Sequence, residues 1–299
     1  MTGGRTKPAT PAPMTIRKKA FDWGERTFVM GIVNATPDSF SGDGLLATGS
    51  DGVVDRAVAQ GGAMVAAGAD LLDVGGESTR PGHAPVPADE EADRVVPVVA
   101  GLRAALPDVP LSIDTTKPAV ASAALAAGAD LVNNVWGVSE DDALTRVAAD
   151  GGVPIVLMHN RAEAVYADLI AEVVADIRAA IERAVRAGVA EDRIIVDPGF
   201  GFGKTAEHNV ELLRRLPALR ILGRPILLGT SRKSTLGRIL DLPADQRLEA
   251  TLATTALGIA AGVDIVRVHD VEANVRAARV ADAIIRGWRP PATGEGDAR

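Results

Sequence analysis

A short phrase recurs along this chain and limits what it can fold into. Ala-Ala-Gly-Ala-Asp stands at 66–70 and again at 126–130, and Ala-Ala-Gly-Val-Asp at 260–264. Each copy follows an Ala-rich, helix-forming segment and precedes an apolar run. Glycine at that point is what a helix C-terminus wants, because the left-handed conformation that closes a helix is cheap only for Gly. Arg186-Ala187-Gly188-Val189 and Gly151-Gly152-Val153-Pro154 are looser versions. The repeating physical unit is helix, glycine stop, strand.

Collecting the apolar runs gives eight strands, at 28–34, 71–76, 111–115, 131–135, 155–159, 194–198, 226–230 and 265–270. They are short and nearly continuous, as parallel strands covered on both faces must be. Helical periodicity lies between them. It is clearest over 165–187, where Val165, Leu169, Ile170, Val173, Val174, Ile177, Ile181 and Val185 recur at three-to-four spacing. Eight strands alternating with helices predict a single-domain α/β fold, a (β/α)8 TIM barrel over residues 26–289. An open doubly wound sheet is the alternative, but it needs a Gly-rich dinucleotide fingerprint after its first strand. That strand ends instead in Asn34-Ala35-Thr36-Pro37-Asp38. Residues 1–25, with Pro8, Pro11 and Pro13, read as a flexible leader, and 290–299 as a flexible tail.

A net charge of −7 over 299 residues argues against nucleic acid or an anionic membrane as partner, so any anion site must be a local basic cluster. The absence of cysteine excludes thiol chemistry, thiolate-bound zinc and disulfides. No apolar run approaches the roughly 20 residues that span a bilayer. No apolar stretch follows the basic residues near the N-terminus, so a cytoplasmic location is expected.

A barrel places its chemistry at the C-terminal ends of its strands and in the loops beyond them. The polar interruptions obey this rule: Asn34, Asp73, Asp114, Asn133, His159, Asp197, and then Arg267 and His269. One such aspartate is often only a cap for the next helix, but seven of the eight strands share the habit. Arg267 and His269 lie two apart on one strand and so point to the same face. Because desolvating Arg costs more than burying Val repays, the pair implies an anion held in a pocket. Gly75-Gly76-Glu77-Ser78-Thr79-Arg80-Pro81-Gly82 sets Arg80 above the mouth after strand two. In Gly199-Phe200-Gly201-Phe202-Gly203-Lys204-Thr205, after strand six, glycines allow close backbone approach and Phe202 offers a face to a flat ligand. Its spacing does not fit a Walker loop. Gly229-Thr230-Ser231-Arg232-Lys233-Ser234 follows strand seven, and the loops after strands seven and eight are the usual phosphate seat of this fold.

With these residues in hand, the chain resembles the dihydropteroate synthase family from about residue 28 to 287. The likeness rests on six ordered stretches: Met30 to Ser41, Asp73 to Gly82, Ser112 to Thr115, Asp197 to Thr205, Ser231 to Ser234 and Arg267 to Asp270. It implies condensation of 6-hydroxymethyl-7,8-dihydropterin diphosphate with 4-aminobenzoate to give 7,8-dihydropteroate and diphosphate. It also implies a homodimer, and competition by sulfonamides, which mimic aminobenzoate. Asp114, Asn133, Asp197 and Lys233 would then line a pterin site, with Met158 packed nearby. Arg80, Arg267 and His269 would hold the leaving diphosphate, and Asn34 would be a ligand of Mg2+. Aminobenzoate would sit among Thr79, Pro81, Phe202, Lys233 and Ser234. Asp114, Lys233, Arg267 and His269 are the expected catalytic residues, with no strong general base, because the aniline nitrogen is uncharged at neutral pH.

Several residues also have plainer readings. Asp73 and Glu77 fit either a structural or a functional role, His159 fits a strand-end cap, and Lys204 fits a brace for loop carbonyls. His83 and His208 read as solvated, and Glu90 and Glu91 as a charged helix start. The long Gly-, Ser- and Pro-rich loops 35–50 and 76–91 are expected to close over substrate. Two positions depart from the family pattern. Asn133-Asn134 replaces Asn-Asp, and Ser41-Gly42-Asp43-Gly44 shifts an acidic group by one place. Two other readings stand beside the synthase. A folate-dependent corrinoid methyltransferase shares such a barrel but has no need of Arg80, Lys233 or Ser234, and a non-catalytic pterin-binding paralogue would fit the Asn134 change.

Overall fold

The glycine stops act as the phrase suggests. In the computed structural model, which describes residues 10–35, 50–77 and 86–288, Gly68, Gly128, Gly188 and Gly262 have φ of 105°, 115°, 103° and 94°. At each, the next residue's N–H reaches five residues back: Ala69 to Met64, Ala129 to Ala124, Val189 to Ala184 and Val263 to Gly258, at 2.9–3.0 Å. Helix carbonyls that would go unpaired are thereby satisfied, and the chain is turned into the next strand.

The aspartate that follows has its own task. Asp70, Asp130 and Asp264 accept the N–H of Val29, Leu111 and Ile226 at 2.9, 2.9 and 3.0 Å. Their own N–H groups return bonds to the carbonyls of the same three residues at 2.7, 2.7 and 2.9 Å. Each aspartate thus clips the start of its strand to its neighbour.

The strands are β1 (Met14–Ile16), β2 (Lys19–Phe21), β3 (Phe28–Asn34), β4 (Leu71–Gly75), β5 (Leu111–Asp114), β6 (Leu131–Asn134), β7 (Ile155–Met158), β8 (Ile194–Asp197), β9 (Leu227–Leu228) and β10 (Ile265–Val268). The helices are α1 (Ser50–Ala66), α2 (Ala88–Ala105), α3 (Pro118–Ala127), α4 (Ala143–Asp150), α5 (Leu169–Arg186), α6 (Ala206–Arg214), α7 (Ser234–Leu240), α8 (Leu248–Ala260) and α9 (Val271–Arg286). Strands β3 to β10 form one parallel sheet in the order β8-β7-β6-β5-β4-β3-β10-β9. A parallel bridge between Val196 and Ile226 joins its two ends, so the sheet closes into the expected barrel. All eight expected strands are present.

Two apolar layers hold the barrel. One packs alternate strand residues such as Val33, Val74, Ile113 and Val132 against the helices. The other fills the interior with Met30, Leu71, Leu131, Val156, Ile195, Leu227 and Ile265. Two residues further along four of these strands stand Asp73, Asn133, Asp197 and Arg267. The two-residue period that puts the apolar layer inside must therefore put a polar layer directly above it.

The expectation of a flexible leader through residue 25 does not hold for residues 10–25. Strands β1 and β2 pair antiparallel, Ile16 opposite Lys19 and Met14 opposite Phe21. Met14, Ile16, Phe21 and Trp23 join the interior layer. They plug the end of the barrel where its strands begin. The turn gave no signal because it uses Arg17 at φ 55° rather than Gly or Asn. Residues 1–9 and the expected tail at 290–299 lie outside the described residues.

Candidate active site at the barrel mouth

The polar layer is one connected group. Arg267 Nε donates to Asp73 Oδ2 at 2.5 Å, and its Nη2 to Asp114 Oδ2 at 2.6 Å. Asn133 Nδ2 donates to the same Asp73 oxygen at 3.0 Å. Register explains the gathering: Gly75, Asp114 and Asn133 stand level on adjacent strands, and Asp73 lies one inward-facing step below Gly75. Asp73, Asp114, Asn133 and Asp197 are all buried. Even so, Asp73 Oδ1, Asp114 Oδ1 and the neighbouring Ser112 Oγ have no hydrogen-bond partner among the described residues. Buried polar atoms are rarely left so, because each forfeits its hydration without return.

The electrostatics follow from that burial. Desolvation raises Asp114 to about 7, with Asp73 and Glu91 adding to it and Arg267 opposing it. Burial raises Asp197 too, against Lys233 and the Gly199 N–H, which Asp197 Oδ1 accepts at 2.7 Å. Lys233 is driven down to about 7, first by desolvation and also by Arg267, while Asp197 and Asp114 resist. Arg267 is held above its usual value: burial alone would lower it, but Asp73 and Asp114 outweigh that.

Around this group stand the other expected residues. Met158 is buried on β7, in register with Asp197. The Lys233 ammonium lies 3.9 Å from the centre of the Phe202 ring and donates to the Phe200 carbonyl at 2.5 Å. His269 Nδ1 meets Ser231 Oγ at 2.9 Å, and Ser234 is exposed at the start of α7. Asn34 is half-buried at the end of β3. A cavity of about 380 Å³ opens beside Asp114 and Phe202, bounded also by Glu77, Glu91, Trp136 and Arg161. Thr79, Arg80 and Pro81, most of the loop 35–50, and residues 78–85 of the second loop lie outside the described residues.

Some groups at the mouth were misread or missed. Glu91 stands in the first turn of α2, as a charged helix start should, but it is also fully buried, sharing Lys117 with Glu77. The signal was present, since Glu91, Val95, Val98 and Leu102 make one buried helical stripe. His208 is not simply solvated, because it completes a capping box with Thr205. Lys204 braces the carbonyls of Gly199 and Phe202, as its plainer reading held. Asn209, which accepts the Gly201 N–H, and Asp176, which meets His159 and Arg161 behind that loop, carried no sequence signal of their own.

Fold and mouth together define a barrel whose strand ends gather carboxylates, an amide and an arginine at one opening. Residues 30–269 match the family model described as pterin binding enzyme. The dihydropteroate synthase of Clostridium beijerinckii is 48% identical over 91% of this chain and 100% of its own length. The Xanthomonas albilineans dihydropteroate synthase solved with 4-aminobenzoic acid superposes with a TM-score of 0.84 at 44% identity, covering 92% of this chain and 98% of that one. The same enzyme in complex with 7,8-dihydropteroate gives a TM-score of 0.82 at 42% identity, covering 91% and 98%. The chain belongs to the dihydropteroate synthase family, and so to the transferases of folate biosynthesis.

Proposed function

We propose that this chain joins 6-hydroxymethyl-7,8-dihydropterin diphosphate to 4-aminobenzoate inside the polar mouth of the barrel. The observation that carries the reading is the unpartnered, buried Asp114 Oδ1 beside the cavity. It stays costly until a ligand supplies an N–H, and one edge of a pterin does so. Asp114 and Asp197 accept pterin N–H groups, Asn133 reads the mixed donor and acceptor edge, Lys233 donates to the ring carbonyl, and Met158 packs on the ring.

The bond from the pterin methylene carbon to the diphosphate oxygen breaks, and its electron pair leaves with the diphosphate. The aniline nitrogen of aminobenzoate forms the new C–N bond and gives up a proton. Ionised Asp114 stabilises the positive charge that builds on the pterin. Arg267 already spends Nε and Nη2 on carboxylates, so its other N–H groups, with His269 and Arg80, meet the departing anion. Thr79, Pro81, Phe202, Lys233 and Ser234 enclose aminobenzoate.

Asn34 fits a place beside Mg2+. It stands in register with Gly75, and Gly75 with Asp114. A Cβ on Gly75 would lie 3.7 Å from that of Asp114, so Asn34, Gly75 and Asp114 border one another at the mouth. One neutral amide oxygen suits an ion held mainly by substrate diphosphate oxygens. When bound, the ion would act as a Lewis acid and neutralise charge on the leaving group.

The same proposal includes a homodimer in the cytoplasm. Leu257 on α8 and Val280, Ile284 and Ile285 on α9 are exposed, an apolar surface that a second copy would cover. Among the described residues no helix is long and apolar enough to cross a membrane.

The test mixes the purified protein with the pterin diphosphate, Mg2+ and labelled aminobenzoate. Labelled dihydropteroate should form with one diphosphate per turnover, and sulfonamides should compete against aminobenzoate. Pterin binding without labelled product would instead mark a non-catalytic paralogue.

A further inference from the structure

The loop that carries Phe202 is held from behind by buried and part-buried polar groups that the reaction does not use. His159 Nε2 lies 3.1 Å from Asp176 Oδ2 on α5, and His159 Nδ1 lies 2.9 Å from Lys204 Nζ. Lys204 Nζ also donates to the carbonyls of Gly199 and Phe202, each at 3.1 Å. An ammonium has three N–H groups, and here each finds one acceptor. That arrangement fixes the imidazole: Nδ1 accepts, so its proton sits on Nε2 and faces Asp176. Arg161 holds the Asp176 carboxylate in turn, through Nε at 3.0 Å and Nη2 at 2.7 Å. Tyr166 on the same side donates to the Gly203 carbonyl at 2.7 Å.

The loop has no slack to absorb a change behind it. Gly199 has φ 70°, and a Cβ there would run into the His159 carbonyl oxygen. Gly201 donates to Asn209 Oδ1 at 2.7 Å on the far side, and a Cβ on it would lie 2.7 Å from Lys233 Cδ. Phe202 and Lys233 are therefore set by the same turn that Lys204 braces.

We propose that Asp176, His159 and Lys204 form a positioning relay for the synthase reaction, fixing the 199–205 turn so that Phe202 and Lys233 meet the substrate rings in one geometry. It rests on the reading that Phe202 and Lys233 line the substrate site. Charge agrees with the geometry. Burial, and then the Lys204 charge, bring His159 down to about 4, leaving it a neutral acceptor at pH 7, although Asp176 opposes this. Burial lowers Lys204 to about 7 as well; Lys233 and Arg161 push the same way, while Asp197 and Asp176 resist.

The test compares steady-state kinetics for both substrates in Lys204→Met, Lys204→Arg, Asp176→Asn and Phe202→Ala, with an NMR titration of the His159 ring. Lys204→Met should raise KM for aminobenzoate about tenfold or more while changing kcat far less, because misplacement by about 1 Å is costly. Removing the adjacent cation should also move the His159 titration upward. Lys204→Arg should recover part of the loss, and Asp176→Asn should show a smaller rise in KM. If Lys204→Met shifts the His159 titration but leaves both KM values within about twofold, the relay does not position the loop and the proposal fails. If Lys204→Met does not fold, Asp176→Asn decides: Asp176 is part-exposed on α5, and unchanged kinetics there overturn the proposal. Phe202→Ala separates the two readings, since an unchanged KM in that variant sinks the site assignment and not the relay alone.

Discussion

The two ends of this barrel both carry buried aspartates, and the two sets are in opposite condition. At the end where the strands begin, Asp70, Asp130 and Asp264 each hold a neighbouring strand through paired backbone bonds. Asp70 adds Arg26 and Lys19, and Asp130 adds Arg103. At the mouth, Asp73 and Asp114 each keep an oxygen that nothing among the described residues satisfies. Fold and residue type are shared, and Asp70 and Asp264 are as buried as Asp73 and Asp114, so these cannot be what distinguishes scaffold from site. What differs is whether the folded chain completes the hydrogen bonding of the group it buries. Cavity size would mislead here. A cavity of about 600 Å³, larger than the one at the mouth, lies beside Arg26, Asp70 and Asp282. Its buried carboxylates are already satisfied: Arg26 binds Asp70 twice, and Asp282 takes Thr27 and Arg286.

The comparison breaks most visibly if the strand-start end proves dispensable. Phe21 is fully buried against Trp23 and Phe28, with ring centres 5.4 and 4.7 Å away. Phe21→Ala should cost about 3–5 kcal/mol of stability by opening a cavity under the interior layer. Turnover per folded molecule should stay near that of the wild type. Urea melts give the first quantity and an active-site-titrated assay the second. A large fall in kcat with stability intact would mean that the hairpin serves the chemistry and not the scaffold.

The converse change is Asp114→Asn at the mouth. It trades an acceptor for a donor at the proposed pterin site and should lower kcat/KM by about 10²–10³-fold, which is roughly 3–4 kcal/mol in the transition state. Melting should shift little, because the lost oxygen included one that was unpartnered. The wild-type pH profile sharpens the point. Asp114, raised to about 7, loses its needed charge as pH falls below that value. Lys233, lowered to about 7, loses its proton as pH rises above it. The profile of kcat/KM, which reports the free enzyme, should therefore be a narrow bell centred close to neutrality. A profile flat across about pH 6–9 would contradict the environment assigned to both groups.

Asp70→Ala should cost roughly 2 kcal/mol, a figure discounted because Arg26 and Lys19 are part-exposed. Burial pushes Asp70 upward, but Arg26 and Lys19 more than offset it and hold the carboxyl below its usual range. The native state then binds fewer protons than the unfolded chain on the acid side. The contribution of Asp70 is complete above about pH 4 and fades as pH falls through the lower native value. The gap between wild type and variant in urea midpoint should accordingly narrow on acidification. A gap that does not change with pH would mean the clip works without its charge.

Much of this was legible from local rules. The glycine stops, the eight runs and the polar residues two places past an apolar one follow from backbone geometry and a two-residue period. They put the strand-end residues in a ring before any contact was known. The periodic run 165–187 also formed a helix, though it starts at Leu169 behind the Asp168 cap and leaves Val165 exposed. What could not be read depended on partners distant in sequence. The hairpin is buried only because a barrel end needs a plug, and Glu91 sinks inward only because Lys117 on another unit neutralises it. Arg267, read as a free cation for an anion, is spoken for on two edges by Asp73 and Asp114, 194 and 153 residues away. Pairings of that kind have no local signature.

The smallest expected effect concerns Asn134, one of the two places where the resemblance implies a departure from the family pattern. Asn134 follows Asn133 on β6, so its side chain points away from the inward-facing polar layer. Its Oδ1 accepts the Trp136 N–H at 3.0 Å, which shapes the turn after the strand. A carboxylate can accept that same bond, and the Gly137 N–H already bonds the Asn134 carbonyl, so the backbone of the turn does not depend on the amide. Asn134→Asp should then alter kcat/KM by less than about twofold and stability by less than about 1 kcal/mol, the cost of a buried charge being met by a retained hydrogen bond. Parallel kinetics and melts on the two proteins measure both. A tenfold gain in activity would show that the acidic group acts on the mouth across the strand, and the division between a mouth that does chemistry and a wall that only holds it would have to be redrawn at β6.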